Sequence, residues 1–413
     1  MPKKAKLIFG VWLLLIFLTG CQNGNIGKSV DNEFKYEDVP LDFVEITTND
    51  EGNGWSWDTE KRILTLNGME MHWSAEQNFA GAAIELPKDS TIVLAEGSVN
   101  IIDIFAGEGT SAIVCKEPTG NITFEGEGEL IIKGLSQEGI ESRSGTITIN
   151  SGRISIQDDK NWAIKAGNEL IINGGVIESE IGFVEARETI MVNGGDISLA
   201  NYGDCIESEF KNEIILNGGN VALKWLSGYE SDWADYTEKQ MAIHTSDDKW
   251  IINDGHLLTT GIYTNGIFEV NGGTVTVSDA GVNIGIRGKF IQNDGKVNIT
   301  SNCAGIGNWI YSAEDNAAEN RIILKGGELD ITCTDERYNA IELILEKKRN
   351  QQVIGTEIII GDNMVINNGE WITENITEDS EIRQRDTLQN YAENQDYVMA
   401  ALSGQQVKIT DSN

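Results

Sequence analysis

Proline is almost missing from this chain: four residues in 413, against 45 glycines. With so few prolines, nearly every backbone N–H is left to bond, which suits tight, hydrogen-bonded corners. The five cysteines lie far apart with no Cys-x-x-Cys spacing, so a zinc site is not indicated. Cys115 and Cys333 fall inside apolar strand patterns and read as buried thiols. No essential disulfide is expected, although Cys205 and Cys303 could pair if the fold brings them together. The three histidines, His72, His244 and His256, have no patterned partner. Positive charge is also short, with 31 Lys and Arg against 65 Asp and Glu, for a net charge of -34. Such a surface repels phosphate backbones, so nucleic acid is excluded as a partner. It also repels an anionic polysaccharide unless a divalent cation bridges the two. Apolar runs of helical length are confined to Leu7–Leu18, too short for a bilayer span of about 20 residues.

That one run has a basic start, Met1 to Lys6, and ends at Leu18-Thr19-Gly20-Cys21. The pattern describes an export signal over residues 1–20. It resembles a bacterial lipoprotein signal, which implies lipidation of Cys21 and membrane contact through that lipid anchor alone. Residues 21–45 are polar and without pattern and read as a flexible tether.

From residue 46 a repeat takes over. One landmark is Asn-Gly-Gly, as at Asn173-Gly174-Gly175, Asn193-Gly194-Gly195, Asn217-Gly218-Gly219 and Asn271-Gly272-Gly273. A second is a small residue before an apolar one, as in Ala83-Ile84, Gly139-Ile140, Ala163-Ile164 and Cys205-Ile206. The period is about 22 residues, and each unit holds three short β-branched runs, such as Ala163-Ile164, Leu170-Ile171-Ile172 and Val176-Ile177. Three strands and three corners per unit predict an all-β fold: a right-handed, single-stranded parallel β-helix, or solenoid, over residues 46–375. Roughly 13 coils would make a rod about 60 Å long. Aligned Ile and Val are expected to stack inside, and aligned Asn to hydrogen-bond from coil to coil. Residues 376–413 lose the repeat. There "QRDTLQNYAENQDYVMAAL" could form a helix capping the open end.

"GWSWDTEKRILTLNGMEM", "AAIELPKDSTIVLAEGSVNII" and the "INGG" units resemble the carbohydrate-binding β-helix family of clostridial cell-surface proteins, over about residues 50–370. The resemblance implies bound calcium (Ca2+) and non-catalytic binding of plant cell-wall or other polysaccharide. It also implies a place on the extracellular face of a Gram-positive cell membrane. Family coils carry Asp-Asp-Gly-Ile followed by Ala-Asp. Here only Asp204 keeps the Asp before the pair, and Asp158-Asp159 are displaced by Lys160-Asn161-Trp162. The calcium candidates are Asp158, Asp159, Asp204, Asp247, Asp248 and Asp335.

Sugar rings stack their C–H faces on flat aromatics and offer hydroxyls to carboxylates and amides. Two insertions gather such residues. One, at 225–240, carries Trp225, Tyr229, Trp233 and Tyr236; the other, at 308–320, carries Trp309 and Tyr311. Trp162 and Tyr202 precede the Ala-Ile and Cys-Ile pairs, at the corner the first insertion leaves from. An edge stripe of Trp162, Tyr202, Trp225 and Trp233 is therefore the expected polymer track. Galacturonase-type Gly-His-Gly and Arg-Ile-Lys motifs are missing, and Arg153, Arg187, Arg287 and Arg321 stand singly, so no catalytic residues are assigned. The alternatives are a surface adhesin and a polysaccharide lyase or hydrolase on the same scaffold.

Overall fold

The computed structural model describes residues 38–74, 81–105, 110–135, 138–157, 162–208, 213–226, 242–245, 249–264, 266–280, 289–302, 304–309, 321–347, 353–354, 357–376 and 396–412. Every regular element among them is a β-strand. Short runs of β-branched residues, punctuated by Gly and Asn, leave extended backbone as the only economical conformation.

As a rule each strand pairs with the third strand on, not with its chain neighbour. Ser111–Cys115 pairs with Glu138–Ser142, which pairs with Trp162–Ala166, all in parallel. Three large sheets result among the described residues. Sheet I has seven strands, from Leu41–Asp42 to Ile206–Ser208. Sheet II has fourteen, from Asp50–Gly52 to Glu357–Ile360, and sheet III thirteen, from Glu70–Ser74 to Met364–Asn367. Up to Ile206–Ser208 each repeat as a rule contributes one strand to each; beyond it the described residues extend sheets II and III and form two smaller sheets, one pairing Ile243–Thr245 with Ile262–Thr264 and one pairing Ile306–Trp309 with Ile341–Lys347. One continuous apolar cluster draws on all three.

The Ile-rich runs do not all point inward. In Leu170–Ile172 the outer two residues are buried and Ile171 is partly exposed, as a side-chain period of two requires. The expected amide ladder is present. Asn173 Nδ2 donates to Asn150 Oδ1 at 2.8 Å, Asn193 to Asn173 at 2.8 Å, and Asn217 to Asn193 at 2.8 Å. Asn253, Asn271 and Asn293 continue it at 2.9, 2.9 and 2.7 Å. The second Gly of each corner takes positive φ, 86° at Gly175 and 93° at Gly195. A Cβ on Gly175 would lie 2.5 Å from the Gly152 carbonyl, so stacking as well as φ demands glycine there.

Both ends switch to antiparallel pairing. At the start, Asp50–Gly52, Trp55–Asp58 and Ile63–Leu66 form a meander under which Phe43 packs on Trp57 at 4.8 Å. At the far end, Asp396–Ser403 lies between Ile341–Lys347 and Glu370–Ile376. Gln406–Asp411 lies between Glu328–Cys333 and Met364–Asn367. The described part of the cap is strand, Asp396–Ser403 and Gln406–Asp411, so the end of the helix expected over "QRDTLQNYAENQDYVMAAL" is strand instead; residues 377–395 lie outside the described residues. Cys205 is a free, buried thiol, so the Cys205–Cys303 bridge is not formed. Burial pushes the Cys205 thiol up to about 12, which leaves it inert.

Candidate functional site

The outer face of sheet I holds carboxylates that are nearly buried. Strand register places Glu85, Val114, Glu141, Lys165 and Glu185 in one column. A parallel column, toward the start of each strand, holds Ala82, Ser111, Glu138, Trp162 and Phe183. Glu138, Glu141 and Glu185 are each more than nine-tenths buried, a costly place for carboxylates without partners.

The partners are close. The Ser111 hydroxyl lies 3.2 Å from Glu138 Oε2 and 3.0 Å from Glu141 Oε2. Its single hydrogen serves one carboxylate at a time. Burial, and next the negative charge of Glu141, push the Glu138 carboxyl up to about 6, against the pull of the Ser111 hydrogen bond. Arg143 Nε stands 3.4 Å from Glu141 Oε1. Lys165 Nζ stands 3.4 Å from Glu185 Oε1 and 4.0 Å from the centre of the Trp162 ring. The Trp162 indole N–H donates to Glu185 Oε2, and Phe183 lies 5.5 Å from its ring. The face therefore offers an aromatic ring ringed by carboxylates and cations, a set able to meet both the C–H and hydroxyl surfaces of a sugar.

Tyr202 and Trp225, at the corner where sheet III leads into sheet I, are brought together. Tyr202 is exposed, and the Trp225 indole N–H donates to its carbonyl at 3.0 Å. Trp225 also packs against the core. Trp162 lies in the strand Trp162–Ala166 and reaches Phe183 in the next strand of the sheet. Trp309 ends the strand Ile306–Trp309, away in another sheet. Tyr229, Trp233, Tyr236 and Tyr311 lie outside the described residues.

Of the calcium candidates, Asp158, Asp159, Asp247 and Asp248 also lie outside them. Asp335 is engaged by the Arg337 guanidinium at 2.6 Å. Asp204 accepts at its backbone carbonyl from Asn201 Nδ2. Among the described residues no three His, Cys, Asp or Glu side chains gather as a metal requires.

Sequence reading passed over Ser111, Glu138, Glu141, Lys165 and Glu185. A signal was present: a charged residue follows the small–apolar pair in Ile84-Glu85, Ile140-Glu141, Ile164-Lys165, Val184-Glu185 and Ile206-Glu207. Position after a repeat landmark is a column in space.

A family model described as carbohydrate-binding domain-containing protein matches residues 55–182, less than half of the chain. The matched segment includes Ser111, Glu138, Glu141 and Trp162. No curated protein and no solved structure matches the chain. The family match supports carbohydrate binding.

Proposed function

We propose that the chain is a polysaccharide-binding rod, held outside the cell by lipid on Cys21, that performs no chemistry on its ligand. Its three sheets are the faces of one right-handed parallel β-helix, a reading supported by the every-third-strand pairing. The ligand lies along the corner beside sheet I. The observation that carries this is the aromatics there: Trp162 beside Phe183, and Tyr202, whose carbonyl accepts from the Trp225 indole, with the buried carboxylates of Glu138, Glu141 and Glu185 on the same sheet as Trp162. Electrophoresis of the full chain through gels containing neutral and acidic polysaccharides tests it. Wild type is retarded by at least one polymer, and Tyr202→Ala with Trp225→Ala is retarded less. Equal mobility of the two proteins in every gel removes this corner from the site.

Glycoside hydrolysis is the second reading, favoured by one observation. Glu138, pushed up to about 6, stands beside Glu141 through a shared Ser111 hydroxyl, two neighbouring carboxyl groups of the kind an acid and a base are drawn from. Release of reducing ends by wild type, abolished in Glu138→Gln, would establish it.

A further inference from the structure

An outward strand residue on a solvated sheet is ordinarily polar, and sheet II breaks that rule. Its outer column runs from Ile171 through Met191, Ile215 and Ile251, is interrupted once at Glu269, and resumes at Ile291, which is itself buried, and Ile323. The strand residues on either side of each point into the core, so these side chains are surplus to it. At about 4.8 Å per repeat the stripe extends about 34 Å, counted through Ile359. A stripe of that length, apolar at all but one position, marks a surface that is used.

One margin says what it is used for. Two residues beyond each of the first four stripe residues stands an amide of the asparagine ladder: Asn173 beside Ile171, Asn193 beside Met191, Asn217 beside Ile215 and Asn253 beside Ile251. Those four side chains are exposed. Each amide has two N–H groups and two carbonyl lone pairs, and the ladder uses one of each. At those four repeats a second N–H and a second lone pair therefore face solvent, at constant pitch. The other margin carries Glu213 and Lys249, with Lys249 Nζ 3.7 Å from Glu213 and 3.6 Å from Glu269. Glu269, the one break in the stripe, is held by Lys249 and by Asn293 at 3.1 Å.

We infer that this face is a second binding surface, for an extended neutral polysaccharide laid along the stripe. Pyranose C–H faces cover the isoleucines while hydroxyls meet the amide row. A bilayer would strip water from both polar margins without replacing their hydrogen bonds. A second copy of the chain would bury opposed amide and charged rows. A polyanion would meet a chain of net charge -34. The stripe lies almost entirely beyond the matched segment 55–182, so it lengthens the binding surface past what that family match covers. The inference rests on the carbohydrate-binding reading but uses a different face.

The full chain, Ile215→Glu with Ile251→Glu, and the gentler Ile215→Thr with Ile251→Thr are compared in gels containing a neutral β-linked glucan, a neutral mannan or a polyuronate. Far-UV circular dichroism and thermal melts are run on all three. Wild type is retarded by a neutral polymer; the Thr pair, with unchanged spectrum and melt, binds about tenfold more weakly, and the Glu pair is not retarded. If wild type is retarded and the Thr pair equally so, this face is not a site, while the corner beside sheet I stands. If no polymer retards wild type, both readings fall. A wild-type dimer that the Thr pair converts to monomer, or binding to anionic phospholipid vesicles that the Thr pair loses, would overturn the inference in favour of that occupant.

Discussion

Sheets I and II present the same backbone at the same pitch and opposite chemistry. On sheet I the outer column reads Glu85, Val114, Glu141, Lys165, Glu185. On sheet II it reads Ile171, Met191, Ile215, Ile251, Glu269, Ile291. Sheet I keeps carboxylates nearly buried and satisfies them through Ser111, Arg143, Lys165 and the Trp162 indole. Sheet II leaves Ile171, Met191, Ile215 and Ile251 partly exposed beside a row of amides. A repeated strand dictates only which residues face inward. The outer column is free to differ from face to face, and there the chain has placed its chemistry.

The difference is most easily broken at Lys165. It is in register with Glu141 on one side and Glu185 on the other. Lys165→Glu sets three acidic side chains in consecutive strands and removes the only cation over the Trp162 ring among the described residues. Breaking a largely buried ion pair costs about 3 kcal/mol or more, read as a lower urea midpoint. The same substitution at Ile215 has no buried carboxylate to oppose.

Next comes Glu138. Its folded value of about 6 lies above the ordinary 4.5, so the folded chain holds this proton more tightly than the unfolded chain. Its contribution is fully favourable below about pH 4.5 and is lost as pH rises through about 6, a swing of about 2 kcal/mol. Glu138→Gln, which imitates the protonated form, flattens stability across that window and leaves the protein more stable than wild type at pH 7. Urea titrations at pH 4.5, 5.5 and 7 measure both effects.

The repeat, the strand content and the asparagine ladder were legible because each is periodic in sequence, and periodicity is a statement about neighbours in space. Tyr202 and Trp225 were legible as a corner pair for the same reason. Glu138 was not, because its partner Ser111 lies 27 residues away and only strand register brings them together. The stripe on sheet II was hidden in plain view. Three apolar residues in a row, as in Leu170-Ile171-Ile172, read as core until a period of two sends the middle one outward. The cap escaped because Asp396–Ser403 gains its strand pairs from residues far back in the chain.

In the ladder, Asn217→Asp removes the donor to Asn193 Oδ1 and faces that oxygen with a carboxylate, while Asn253 still donates to the new side chain. The expected loss is about 1 kcal/mol at pH 7. A protonated carboxyl can donate, so the folded value of the introduced acid is raised and the loss shrinks below about pH 4. Melts of wild type and variant at pH 3.5 and 7 test the sign.

The smallest effect is the most discriminating between the faces. Ile214 and Ile215 are adjacent in the strand Glu213–Leu216; the first is buried and the second partly exposed. Ile214→Thr places a hydroxyl in the core and loses apolar contacts, at about 2 kcal/mol or more. Ile215→Thr keeps a β-branched side chain on the outer face, where a threonine is at home, and costs less than about 1 kcal/mol. A loss at Ile215 as large as that at Ile214 would make the stripe part of the folding core. A small one leaves its isoleucines without a structural reason, as a surface kept for a ligand requires.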